Sequence, residues 1–314
     1  MLIGGFDAGQ THTRCRLLRV EPEDDTTQGE GDGSGVCHLD AAEGEARFQA
    51  ALRSSLDAAL QAAGLPLNSR LDAAVVGASG IEHGTPLQQR GQRLLSKVLD
   101  LPPTQTLVTG DERTALHGAF PAGAGIALIS GTGMICLGRD QTGREHRCGG
   151  WGWRLDGAGS AFDIGHQGLQ LSLRMADGRI AETPLRHQLW DALGCTSAAE
   201  VKALAAGSAL DVAALARLAP LVHAEATRGD TQALEVLARS ATALAEAVTA
   251  VAQALSLQAP AISAQGGAIT HLPRFRDLVS DQLDQQLGRW HWSDQGGDAC
   301  DGALSLARGL IKQR

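Results

Sequence analysis

Three short apolar strands in this chain each run straight into a glycine turn. Leu2–Phe6 ends in Asp7-Ala8-Gly9-Gln10-Thr11-His12-Thr13, Ile126–Ile129 ends in Ser130-Gly131-Thr132-Gly133, and Ala261–Ala264 ends in Gln265-Gly266-Gly267-Ala268. Glycine lets a backbone turn with positive φ and lets a ligand come close to the peptide planes. Successive N–H groups in such a turn form an anion nest, and threonine adds a hydroxyl donor. One Gly-Thr turn is ordinary hairpin chemistry. Three of them, each closing a strand, point to phosphate. None has the spacing of a Walker A loop or of the Rossmann G-x-G-x-x-G.

The first two turns sit in matching strand–turn–strand units, because Cys15–Val20 and Met134–Leu137 resume an extended pattern after them. Between them the chain alternates. Glu43–Ala63 places Phe48, Leu52, Leu56 and Leu60 at helical spacing and stops at Gly64-Leu65-Pro66. Leu71–Val76 reads as a strand before Gly77-Ala78-Ser79-Gly80. Leu87–Leu99 reads as a helix stopped by Pro102-Pro103. Thr106–Val108 is a strand followed by Thr109-Gly110-Asp111-Glu112, with a helix starting at Arg113. Glu21–Asp32, acidic and glycine-containing, reads as a surface turn. Thr183–Leu257 is rich in Ala and Leu and mostly helical, with one long helix over Thr231–Leu257, and Cys300–Lys312 is a terminal helix. Strands alternating with helices predict an α/β fold with substantially parallel sheet, and 314 residues give room for two domains.

Composition removes several classes of function. Lys plus Arg is 27 against 35 Asp plus Glu, a net charge of −8. That balance lacks the basic footprint that nucleic acids and anionic membrane surfaces require. The uncharged stretch Gly118–Gly138 is long enough to suggest a membrane span, but its glycines, Pro121, Ser130 and Thr132 make it strand, turn, strand. The N-terminus lacks the basic and long apolar regions of a signal peptide. Cys15, Cys37, Cys136, Cys148, Cys195 and Cys300 show no C-x-x-C spacing and read as reduced thiols of a cytoplasmic protein.

Asp7 and Asp111 each follow an apolar strand, and ligands of open α/β sheets sit at the carboxyl ends of strands. A carboxylate there holds Mg²⁺ or accepts a proton from an attacking hydroxyl, the two roles phosphoryl transfer needs. Turn residue for Asp7 and helix N-cap for Asp111 are equally open readings. Cys148-Gly149-Gly150-Trp151-Gly152-Trp153 offers an indole between bare backbone, a surface that suits the apolar face of a sugar; a tight turn around a core Trp is the alternative. Gly157-Ala158-Gly159-Ser160-Ala161-Phe162 opens a helix. His12, His117 and His166 are candidates by position, with polar lining or helix surface as the plainer reading.

These stretches occur in one order, and the chain thereby resembles the N-acetylglucosamine kinase group of the BadF/BadG/BcrA/BcrD ATPase family, within the actin/hexokinase/Hsp70 superfamily. The resemblance spans nearly the whole chain, and Ile129-Ser130-Gly131-Thr132-Gly133 with Cys148-Gly149-Gly150-Trp151-Gly152 are its most specific parts. It implies two ribonuclease-H-like α/β domains with ATP in the cleft between them: residues 1–117 plus 299–314, and 118–298 with a helical insertion. It implies that Asp7 helps place Mg²⁺ and that Gly9, Gln10, Thr11, His12 and Thr13 line the phosphates. Ser130, Gly131, Thr132 and Gly133 would grip them from the other domain, with Gly266 and Gly267 against the adenosine. Asp111 matches the catalytic base, while Gly150, Trp151 and Gly152, with Asp156, match the sugar-contacting stretch. By analogy with related kinases the resemblance leaves room for a homodimer.

The chain also departs from that family. Ala8 and Gln10 stand where glycines are usual, and His12 stands where Lys or Arg is. Many members read G-D-E-G-S where this chain reads Asp156-Gly157-Ala158-Gly159-Ser160, so the acidic pair is lost in register. Gly35-Val36-Cys37-His38-Leu39 lacks the Asn expected to touch the sugar. The leading reading is an ATP-dependent kinase of N-acetylglucosamine, glucosamine or a related hexose. Two others stand beside it: a sugar- or nucleotide-sensing protein that has lost catalysis, and an ATPase that activates a partner enzyme, for which the iron–sulfur cysteines are missing.

Overall fold

The first hairpin seeds the first sheet. In the computed structural model, which describes residues 1–21, 25–294 and 296–312, strand β1 (Leu2–Ala8) pairs antiparallel with β2 (His12–Arg19), Ala8 opposite Thr13 and Leu2 opposite Arg19. Strand β3 (Thr26–Ser34) adds antiparallel to β2, while β4 (Ala73–Ala78) and β5 (Thr106–Gly110) follow in parallel on the other side, giving the order β3-β2-β1-β4-β5. β1 and β4 are buried on both faces, which is why they read as unbroken apolar runs. Helices α1 (Gly44–Ala62) and α2 (Pro86–Leu99) cover one face, where Phe6, Cys15 and Leu17 meet Phe48, Leu52 and Leu95. On the other face Ile3 and Val75 meet Ala303, Leu304 and Ala307 of the terminal helix, Ala299–Lys312, which packs beside α3 (Asp111–Ala119).

Glu21–Asp32, expected as a surface turn, is instead largely strand. Residues from Thr26 onward form β3, an edge strand; Pro22, Glu23 and Asp24 lie outside the described residues. Its pattern has no apolar member because α1 lies directly on it. A Cβ added at Gly31 would fall on the backbone of Ala58 and Ala59, and one at Gly29 or Gly33 would crowd the same helix. The alternate residues, Glu30 and Asp32, lie opposite Arg16 and Arg14 of β2. Arg16 also donates to Asp298 at 2.8 Å and Asp301 at 2.6 Å, ahead of and within the terminal helix.

The second sheet repeats the order. Strands β6 (Gly125–Ser130), β7 (Met134–Arg139) and β8 (Glu145–Gly149) are antiparallel, and β9 (Ala261–Gln265) and β10 (His291–Trp292) follow in parallel on the far side of β6, giving β10-β9-β6-β7-β8. Between β8 and β9 run α4 (Ala161–Ala176), α5 (Pro184–Ala192), α6 (Ala198–Ala206), α7 (Val212–Ala216), α8 (Ala219–Thr227) and α9 (Thr231–Ala254). α9 buries Val236, Leu237, Leu244, Val248 and Val251 and is capped by Asp230, whose carboxylate accepts the N–H groups of Gln232 and Ala233. The chain divides into two compact units, Met1–Gly123 with Asp294–Arg314, and Ala124–Ser293. Among the described residues no helix is long and apolar enough to cross a membrane.

Gly302 tests the contact that returns the terminal helix to the first unit. A Cβ there would fall on the Thr114 carbonyl oxygen and crowd the Gly118 nitrogen, whereas a Cβ at Gly309 on the same helix meets nothing. Gly302→Ala should therefore destabilise by about 1–3 kcal/mol through overpacking. Gly309→Ala should stabilise by about 0.5–1 kcal/mol through helix propensity. Urea unfolding of the two variants reads the difference; equal effects would contradict this packing.

Candidate active site

In the first unit, backbone bonds gather several turns at the carboxyl ends of β1, β4 and β5. The Gly9 N–H donates to the His12 carbonyl at 3.0 Å and closes the hairpin. Its own carbonyl accepts the Val36 N–H at 3.0 Å, and the Ala8 carbonyl accepts the Ser79 N–H at 3.1 Å. Gly9, Gln10 and Thr11 therefore form a turn tied to the segments after β3 and β4. Asp7, Gly77 and Thr109 stand in one transverse row on three neighbouring strands. Asp111 follows two residues after Thr109 as the first residue of α3, with Gly110 at the cap position. Its Oδ1 accepts the N–H of Glu112 at 3.0 Å. The helix thus starts two residues earlier than the expected Arg113.

Electrostatics mark this end of the sheet. Burial pushes the Asp7 carboxyl up to about 6, and the negative charges of Asp111 and Asp298 push the same way; His12 and Arg14 pull it back. Burial also raises Asp111, against its hydrogen bonds with Glu112. For Asp298 burial acts upward too, but the hydrogen bonds from Arg16 outweigh it and the carboxyl lies below its ordinary value. Two carboxylates are thus held in surroundings that disfavour their charge, the setting in which a cation is welcome. The hydroxyls of Thr13 and Thr109 are buried without a hydrogen-bond partner. His12 is exposed, its Nδ1 3.1 Å from the Thr11 hydroxyl.

In the second unit, two turns lie side by side. Gly266 has φ of 90°, and a Cβ there would sit 2.6 Å from the Ser130 carbonyl oxygen. The Gly131 N–H closes its turn on the Gly133 carbonyl at 2.9 Å, and the Ser130 hydroxyl donates to the Gly159 carbonyl at 2.7 Å. Thr132 and Gly133 are exposed, and Gly267 opens helix α10 (Gly267–His271). Ser160 caps α4 by accepting the Asp163 N–H at 3.2 Å, while the Gly131 carbonyl accepts the Ala161 N–H at 2.8 Å. The helix N-terminus and the Ser130–Gly133 turn are therefore adjacent.

The Gly-Trp stretch resolves one alternative left open by the sequence. Trp151 is 62% exposed, so it is not a core indole. Gly149, Gly150 and Gly152 all have positive φ, a backbone path that lifts the ring outward, and the Arg147 guanidinium lies 4.5 Å over it. Asp156 is half-buried, its N–H bonded to the Gly152 carbonyl at 2.9 Å; with burial, its charge raises Cys148. His117 is half-buried on α3, and His166 stacks on Phe162 with centroids 5.4 Å apart.

Within its own unit each set of candidates is brought together: Asp7, Gly9–Thr13 and Asp111 in the first, Ser130–Gly133 with Gly266-Gly267 and the Gly150–Asp156 stretch in the second. Arg14, Thr109 and Asp298 were missed. Only Asp298 carried a local signal, the Asp298-Ala299-Cys300-Asp301 spacing at a helix start, where Asp298 and Asp301 accept each other's N–H groups.

The model of the BadF/BadG/BcrA/BcrD ATPase family matches residues 5–295. A Clostridium acetobutylicum protein named N-acetylmuramic acid/N-acetylglucosamine kinase is 33% identical over 135 residues, which are 43% of this chain and 44% of that protein. The match thus spans less than half the length of this curated relative. A solved structure from Chromobacterium violaceum assigned as an N-acetylglucosamine kinase is 28% identical, with 98% of each chain covered and a TM-score of 0.77. A ROK family glucokinase from Streptomyces griseus, at 16% identity and a TM-score of 0.59 over 98% of this chain and all of that one, shares the fold. The expectation of an actin-like ATPase fold is thereby met.

The raised Asp7 carboxyl makes stability depend on pH. With an ordinary value of 3.8 and a folded value of about 6, the folded state holds this proton more tightly. The stabilisation is complete below about pH 4 and is lost as pH rises through 6, on the order of 3 kcal/mol in all. Asp7→Asn should therefore be more stable than the parent at pH 8 and similar to it at pH 4. Urea midpoints at the two pH values check this; a pH-independent difference would contradict the assignment.

Proposed function

We propose that this chain, which belongs to the BadF/BadG/BcrA/BcrD ATPase family, transfers the γ-phosphoryl group of ATP to a hydroxyl of N-acetylglucosamine, glucosamine or a related hexose. The observation that carries the reading is the placement of Asp7 and Asp111 at the carboxyl ends of β1 and β5, on either side of β4 and close enough for the charge of Asp111 to raise the Asp7 carboxyl. The matches to N-acetylglucosamine kinases support a sugar as acceptor.

The residues fit Mg-ATP. Mg²⁺ binds through one or two carboxylates and completes its shell with phosphate oxygens and water, so the single ligand Asp7 suffices on the protein side. When bound, it supplies charge neutralisation on the phosphates. Gly9, Gln10, Thr11, His12 and Thr13 of the first unit, and Ser130, Gly131, Thr132 and Gly133 of the second, are the turns assigned to phosphate, with the unpartnered Thr13 hydroxyl and the exposed Thr132 as donors, because the Gly9 and Gly131 N–H groups and the Ser130 hydroxyl hold the turns themselves in shape. Gly266 and Gly267 leave bare backbone for the nucleoside. Asp111 accepts the proton of the attacking hydroxyl, and burial makes it a stronger base than an exposed Asp. Gly150, Trp151 and Gly152 meet an apolar sugar face, with Asp156 available to its hydroxyls. Free thiols at all six cysteines support a reducing, cytoplasmic setting.

The test is ADP release from Mg-ATP against a panel of hexoses and hexosamines. At least one sugar should stimulate release, and Asp111→Asn should lower the stimulated rate by about 10²–10⁴ while nucleotide still shifts the melting temperature. Near-parental turnover in Asp111→Asn would remove Asp111 as base. Sugar binding without phosphate transfer in the parent protein would favour the sensor reading.

A further inference from the structure

Two of the six thiols lie at the base of the loop that carries Trp151. Cys136 on β7 stands directly opposite Cys148 on β8, between the pairs Ile135–Gly149 and Leu137–Arg147. Directly opposite residues of an antiparallel pair point to the same face. Here both side chains pack on the core of the second unit, Cys136 fully buried and Cys148 half-buried. Among the described residues no other two cysteines oppose each other across a ladder. Opposite Cα atoms of such a pair are about 4.5–5.5 Å apart, inside the range of about 4.4–6.8 Å that a disulfide spans. The register therefore brings the two sulfurs within bonding reach with little movement of the backbone.

The backbone after Cys148 transmits any such movement. Gly149 and Gly150, both with positive φ, lead straight into Trp151. A Cβ at Gly149 would sit 2.5 Å from the Met134 sulfur, and one at Gly150 2.6 Å from Cδ1 of Ile135. The base of the loop is thus seated directly on side chains of β7, and close packing leaves no slack for β8 to shift alone. A disulfide draws opposed Cβ atoms from about 4.5–5.5 Å to about 3.8 Å, and the loop must follow.

We propose that Cys136 and Cys148 form a redox modification site, closed by a low-molecular-weight disulfide, and that closure loosens the hold of Gly150, Trp151 and Gly152 on the sugar. The effect on the sugar rests on the sugar-kinase reading; the thiol pair does not. Cys148, the accessible member, attacks one sulfur of the oxidant as its thiolate and releases one thiol. Cys136 then attacks the Cys148 sulfur of the mixed disulfide and releases the second. The protein gives up two electrons and two protons, and the oxidant leaves as two thiols. Burial and the charge of Asp156 hold the Cys148 thiol above its ordinary value. The first step is accordingly slow, and the site answers sustained oxidation and stays open in reducing surroundings.

The experiment incubates the folded protein with oxidised glutathione, blocks the remaining thiols and maps the peptides by mass spectrometry. Two thiols should vanish together as a Cys136–Cys148 bridge and return with dithiothreitol. Cys148→Ser should leave Cys136 free, and Cys136→Ser should leave a glutathione adduct on Cys148. Cys136 remaining free in the parent, or a bridge to another cysteine, overturns the proposal. The bridge should raise KM for the stimulating sugar about fivefold or more, the low end of a coupling between two sites, and reduction should reverse it. Cys148→Ser, measured against its own reduced form, should show no such rise. An unchanged KM in the bridged parent overturns the effect on the sugar. Should the parent phosphorylate no sugar, the kinase reading fails by itself, and the mapped bridge, present or absent, still upholds or overturns the thiol pair.

Discussion

The guanidinium of Arg16 closes the first unit. It is 16% exposed and reaches Glu30 on β3 together with Asp298 and Asp301 at the start of the terminal helix, 282 and 285 residues further along the chain. Those bonds bring the last segment onto a sheet built from the first hundred or so residues. They also leave a surplus of negative charge, since Arg14 and Arg16 together face Glu30, Asp32, Asp298 and Asp301. Asp7 lies opposite Arg14 and feels Asp298. The ionic knot that completes the fold therefore also raises the demand for a cation at the end of β1, and stability and site electrostatics share their residues.

The two sheets have the same strand order but divide the chemistry unequally. The first unit places carboxylates at its strand ends, where burial raises both Asp7 and Asp111 and the charges of Asp111 and Asp298 raise Asp7 further. The second places bare backbone there, with Gly266 against Ser130, and projects indoles from a glycine-flanked loop. On the proposed function, a repeated scaffold with different residues at equivalent ends would give proton and metal chemistry to one copy and recognition to the other.

Much of this was legible in the sequence, for a physical reason: hairpins, buried parallel strands and amphipathic helices are specified by near neighbours. The turns at Gly9, Gly131 and Gly266 and helices α1 and α9 were read from periodicity and punctuation alone. β3 was not, because its inner positions are glycines whose meaning depends on a helix that comes later in the chain. Thr109 and Arg14 were invisible for the same reason, since their roles arise from register across strands. The exposure of Trp151 could not be decided from a glycine–tryptophan pattern, which serves a core turn and a surface loop equally well.

β3 bears on how this molecule stays separate from its neighbours. An edge strand offers unpaired peptide groups to any other extended chain, and apolar side chains beside them invite aggregation. Here the inner positions Gly29, Gly31 and Gly33 have no room for a side chain, and Glu30 and Asp32 stand opposite arginines. Drift toward a sticky edge is blocked on the inner face by the backbone of α1 and on the outer face by lost ion pairs. The strand with the weakest compositional signature thus works against self-association, through steric exclusion on its inner face and paired charges on its outer one.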